Sequence, residues 1–144
     1  METLIESIKR HEGYRDHVYL DSERILTCGW GHALRPGTKV PLEVNEAFFK
    51  QDVARAISAF DRIPKALRDH LNVERRRVIV EMLYNLGFKG VYDPDGDGGF
   101  DRMWLAISMD DFGEAAMEML DSKWAGQVKG RAVELAYIMR HGRA

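Results

Sequence analysis

At 144 residues the chain can build one compact unit with a real hydrophobic core, and it is too short for two independent domains. Apolar residues make up 45% and charged residues 31%, with a formal net charge of -2, so the composition is that of a soluble protein without a global basic field for nucleic acid. A single cysteine, Cys28, excludes an intrachain disulfide and a four-cysteine zinc site and fits folding in a reducing cytoplasm.

In chain order, Leu4, Ile5 and Ile8 follow helical spacing and Gly13 suits a C-terminal cap, which predicts a helix over residues 3–12. Glu2 and Glu6 interrupt this segment, which is not the pattern of a signal peptide. Val18 to Leu20 and Ile25 to Thr27 read as two short strands joined by a polar turn from Asp21 to Arg24. After the Pro36-Gly37 loop, Pro41 opens a long helix to about Phe60, and Pro64 ends or interrupts it. Residues 74–86 form the most apolar helix, with a face of Val78, Ile79, Met82, Leu83 and Leu86, and Gly87 and Gly90 end it. The stretch Val78 to Phe88 contains Glu81 and Asn85 and is far too short to span a bilayer. A Gly/Asp loop occupies residues 89–99. Helices follow at about 100–108, 111–122 and 129–141, with Asp110 as the expected N-cap of the second. The outcome is an α+β, mostly α protein with one small hairpin. Charge is uneven: nine acidic residues and one basic residue, Arg102, lie between Asp93 and Asp121, leaving 20 basic against 14 acidic elsewhere. Such a surplus suits an anionic polymer, and acidic blocks are most often solvated faces.

The stretch HEGYRDHVYLDSERILTCGWGH is the best clue to chemistry. Glu12 ends a helix, Asp21 sits in a turn and Thr27 in a strand. Two carboxylates on different backbone elements can face each other across a glycosidic bond, one protonating the leaving oxygen and one on the other side of the sugar. A helix C-terminus disfavours added negative charge, the bias a general acid needs, and partial burial would strengthen it. The Thr27 hydroxyl can donate to Asp21 or hold a water. Singly, each residue reads as a surface helix end, a turn former and a strand filler; the conjunction is the signal. Glu-x8-Asp-x5-Thr followed by Gly29-Trp30-Gly31-His32 closely resembles the catalytic hairpin of the phage-type lysozymes, the muramidase endolysins of glycoside hydrolase family 24.

The resemblance covers nearly the whole chain and is strongest over residues 5–32. It implies a lysozyme-like fold, with a hairpin lobe at about 13–60 and a helical lobe of 1–12 plus 61–144. It implies Glu12, Asp21 and Thr27 as the catalytic set. Phe49-Lys-Gln-Asp-Val53 resembles the family's inter-lobe helix and implies a structural ion pair between Asp52 and His32. Asn85-Leu-Gly87 resembles a saccharide-contacting helix end, and Gly130-Arg131-Ala132 implies an arginine beside the catalytic glutamate. Asn85 and Arg131 are thus candidate substrate contacts, or simply a helix cap and a solvated charge. Cys28 stands where the family has an aliphatic residue and reads as a small buried hydrophobe.

The loop from Asp93 to Asp101 departs from the family pattern as an insertion. Asp93, Asp95, Asp97 and Asp101 match ligand positions of a calcium loop, but Trp104 replaces the glutamate that normally closes it. A weak calcium site and a solvated turn are the two readings.

The expected function is an endolysin-type muramidase that cleaves the β-1,4 bond between N-acetylmuramic acid and N-acetylglucosamine, needs no cofactor and lyses the host. A lytic transglycosylase, or a non-catalytic wall-binding or calcium-responsive module on the same scaffold, is the alternative. The expected partner is peptidoglycan, with no nucleic acid and no membrane insertion. The protein is expected as a monomer in the host cytoplasm until another factor, such as a holin, releases it.

Overall fold

The computed structural model describes residues 2–144. Its eight helices and small three-stranded antiparallel sheet confirm the α+β, mostly α class. By its internal contacts the chain divides into two compact units, one up to Asn45 and one from Glu46 to Ala144.

The first unit opens with α1 (Leu4–Glu12). Thr3 and Glu6 close a reciprocal capping box at its start: the Thr3 amide donates to Glu6 Oε2 at 2.8 Å and the Glu6 amide to Thr3 Oγ1 at 3.3 Å. Those bonds, the one from the Thr3 backbone first, hold the Glu6 carboxyl below its ordinary value. Lys9, Arg10 and His11 stand in the last turn, where basic groups offset the negative end of the helix dipole. Gly13 then caps the helix, its amide donating to the Lys9 carbonyl at 3.0 Å.

The hairpin has one strand more than its sequence suggests. Strand β1 (Arg15–Leu20) pairs with β2 (Leu26–Gly29), which pairs in turn with β3 (His32–Ala33). A two-residue strand carries no readable alternation, which is why β3 escapes sequence reading. Tyr19 faces Thr27 and Leu20 faces Leu26 in register, and an irregularity between Arg15 and Tyr19 bends β1.

Helix α2 (Leu42–Arg62) begins one residue after Pro41, whose carbonyl accepts from the Val44 and Asn45 amides. The second unit then adds α3 (Lys65–Arg68), α4 (Val73–Val91), α5 (Asp101–Ser108), α6 (Phe112–Leu120), α7 (Lys123–Val128) and α8 (Gly130–His141). The short helix α3 was not anticipated. As expected, Gly87 ends the apolar helical run: with φ 75° and ψ 175° it breaks the backbone of α4, and a separate helical stretch follows to Val91.

All of the buried apolar cluster lies in the second unit. Val78, Ile79, Met82 and Leu83 of α4 are its centre, as the amphipathic spacing predicted, and Met103, Ile107, Met119 and Met139 fill in around them. Arg75 staples three helices: its Nε donates to the Met139 carbonyl at 2.7 Å, a terminal amine to Arg140 at 3.2 Å, and its guanidinium lies 3.5 Å from the Phe112 ring centroid. The N-cap of α6 is Asp111 rather than Asp110, with its carboxylate accepting from the Glu114 amide at 2.9 Å. Asp110 instead turns the chain with φ 56°, and its carboxylate meets His70 Nδ1 at 2.8 Å.

Candidate active site

Glu12, Asp21 and Thr27 all fall in the first unit. Glu12 is the last residue of α1 and is exposed. Its position is nonetheless constrained. A Cβ added to Gly31, between β2 and β3, would lie 2.6 Å from Glu12 Oε2. The carboxylate therefore rests against the backbone of the hairpin that carries Asp21 and Thr27. Gly31 has φ +74°, a backbone conformation that strains any other residue, and an added Cβ would displace the Glu12 carboxylate.

Asp21 builds the turn it sits in. Its Oδ1 accepts from the amides of Glu23 and Ile25, both at 2.8 Å, while its own amide donates to the Ile25 carbonyl at 2.9 Å. Arg24 completes the reversal with φ 62°. Among the described residues Oδ2 has no hydrogen bond, which leaves one oxygen of a backbone-anchored carboxylate open to water or substrate.

Thr27 is 3% exposed and is the buried residue of this unit. Its hydroxyl donates to the Ile25 carbonyl at 2.9 Å. It does not donate to Asp21, as the sequence reading allowed, because the nearby carbonyl takes the proton first. The hydroxyl retains acceptor capacity and can receive a hydrogen from a water. Cys28, next to it, is a half-buried free thiol.

The Gly-Trp-Gly turn contributes more than a pattern. Trp30 lies under the Lys9 ammonium, 4.4 Å from nitrogen to ring centroid, and its ring stands 4.7 Å from that of Tyr14. Neither Trp30 nor Gly31 was assigned a role from sequence; the glycine on either side of an aromatic residue was the available signal.

His32 opens β3 and is exposed. In the second unit, Asp52 accepts from Arg55 at 3.2 Å. Asn85 Oδ1 accepts from the indole of Trp124 at 2.8 Å, which commits its carbonyl and leaves its amino group. Arg131 donates to Glu81 at 3.3 Å, an exposed pair joining α4 to α8.

Among the described residues no three of His, Cys, Asp or Glu gather as ion ligands. In the acidic loop, Asp93 Oδ2 accepts from the Gly98 amide at 3.3 Å and Asp101 starts α5. Trp104, at the closing position, is a core residue whose indole donates to the Val91 carbonyl at 2.8 Å.

Known proteins extend the comparison beyond geometry. The chain is 22% identical to the probable T4-type lysozyme 1 of Dictyostelium discoideum, over 99% of its own length and 96% of that protein. It is 25% identical to the pre-baseplate central spike protein Gp5 of Enterobacteria phage T4, over 97% of its own length but only 28% of the spike protein. The model of the phage lysozyme family matches residues 9–134, nearly all of both units. A match of that extent, over a chain whose first helix ends in the glutamate and whose hairpin carries the aspartate and threonine, makes this protein a lysozyme-type glycoside hydrolase that belongs to the phage lysozyme family.

Proposed function

We propose that this lysozyme is an endolysin-type muramidase that hydrolyses the β-1,4 bond between N-acetylmuramic acid and N-acetylglucosamine and thereby lyses the host cell. The observation that carries the reading is the approach of the Glu12 carboxylate to Gly31, which ties the helix-end acid to the hairpin of Asp21 and Thr27. Glu12 donates its proton to the glycosidic oxygen as the C1–O4 bond breaks. The free oxygen of Asp21 faces the positive charge that develops at C1, or takes a proton from the attacking water. Thr27, with its own hydrogen committed to Ile25, orients that water by accepting from it. Attack by water yields the inverted anomer, and attack by Asp21 itself would yield the retained one. Asn85 through its amino group, and Arg131, are the proposed substrate contacts of the second unit.

No cofactor enters this scheme. Peptidoglycan is the partner, and the protein works as a monomer. No helix of the described residues is long and apolar enough to cross a membrane, which agrees with release through a separate factor such as a holin. Mass spectrometry of digested peptidoglycan tests the proposal. Reducing muramic ends support it, 1,6-anhydro ends would establish a lytic transglycosylase, and absence of cleavage would leave only wall binding.

A further inference from the structure

We propose that Trp30, held by Lys9 and Tyr14, is a positioning residue that fixes the Glu12 carboxylate through the Gly29–Gly31 turn. The inference rests on Glu12 being the acid. Lys9 and Glu12 are three residues apart on α1 and so share one face of the helix. Trp30 and Gly31 are consecutive in the turn. Lys9 Nζ sits 4.4 Å from the Trp30 centroid, and a Cβ at Gly31 would meet Glu12 Oε2 at 2.6 Å. The turn therefore lies along the Lys9/Glu12 face and touches it at two successive points. Tyr14, just past the helix exit at Gly13, adds a third, with its ring tilted 43° to that of Trp30.

The three contacts bracket Glu12 before, at and after its position in the chain. This matters because α1 has no buried residue of its own. A carboxylate on an exposed helix end would otherwise sample several rotamers, most of them useless for proton donation. Trp30 is 46% exposed, yet it is engaged by both a cation and an aromatic ring, which marks it as a brace rather than an open platform for sugar.

Steady-state kinetics on soluble peptidoglycan fragments test the idea. A misplacement of the acid by about 1 Å can cost on the order of 10²-fold, so Trp30→Ala should lower kcat by about 10- to 100-fold with little change in KM. Trp30→Phe, which keeps a ring between Lys9 and Tyr14, should restore most of the rate. Lys9→Met should lower kcat and Lys9→Arg should recover it. A Trp30→Ala enzyme with the parent kcat, or one impaired only in KM, overturns the positioning role. If Trp30→Ala loses its near-ultraviolet dichroism, the Lys9 pair decides, and equal kcat for Met and Arg overturns the proposal. Glu12→Gln is measured alongside. Should it stay active, the assignment of the acid is wrong; should it be inactive while Trp30→Ala is unimpaired, only the brace is wrong.

Discussion

Replacing Thr27 by serine and by valine separates the structural role of its hydroxyl from its chemical one. Thr27 is 3% exposed, so Thr27→Ser removes a fully buried methyl, a loss of about 1 kcal/mol. Thr27→Val keeps the shape and removes the hydrogen bond to the Ile25 carbonyl. That carbonyl still accepts from the Asp21 amide at 2.9 Å, so it is not orphaned, and the net cost is again about 1 kcal/mol. The two variants should therefore be destabilised to a similar degree in urea melts. Their activities should differ. Serine retains an acceptor for the attacking water, whereas valine has none, and one lost hydrogen bond of that strength in the transition state slows the reaction about fivefold. Initial rates of turbidity loss in a bacterial suspension measure the difference. Equal rates for the two variants would show that the hydroxyl only closes the hairpin turn.

Glu12→Gln keeps the shape of the acid without its proton and should reduce lysis by about 10²–10⁴-fold at an unchanged melting temperature; near-parental clearing by folded protein would remove Glu12 from the mechanism. The capping box predicts a pH effect confined to α1. The folded Glu6 carboxyl is held below its ordinary value, so its contribution is complete above the unfolded pKa and is lost as pH falls through the lower folded one. Glu6→Ala should accelerate amide exchange in α1 more at about pH 7 than at about pH 3, and an equal effect at both would count against the box. Chelating divalent cations should leave lysis unchanged, because the proposed chemistry of Glu12, Asp21 and Thr27 uses no ion; a loss of rate restored by calcium would contradict this.

Sequence legibility followed the range of the physical signal. The start of α2 after Pro41, the Gly13 exit of α1 and the core face of α4 were readable because proline, glycine and apolar spacing act within a turn or two of the chain. The cap of α6 was misplaced by one residue. Two adjacent aspartates look alike in sequence, and only the backbone, with φ 56° at Asp110, decides which one reaches the Glu114 amide.

By itself the sequence determined that this is a mostly α chain with a hairpin, and that Glu12, Asp21 and Thr27 stand on a helix end, a turn and a strand. Those assignments depend on local propensity and spacing. Tertiary structure decided where the polar atoms go: Thr27 to the Ile25 carbonyl, Asn85 to the Trp124 indole, Arg131 to Glu81, and the Glu12 carboxylate against Gly31. The last three join residues 39, 50 and 19 positions apart. No local rule selects such partners, since they are fixed only when packing brings separate elements to within a hydrogen bond of each other.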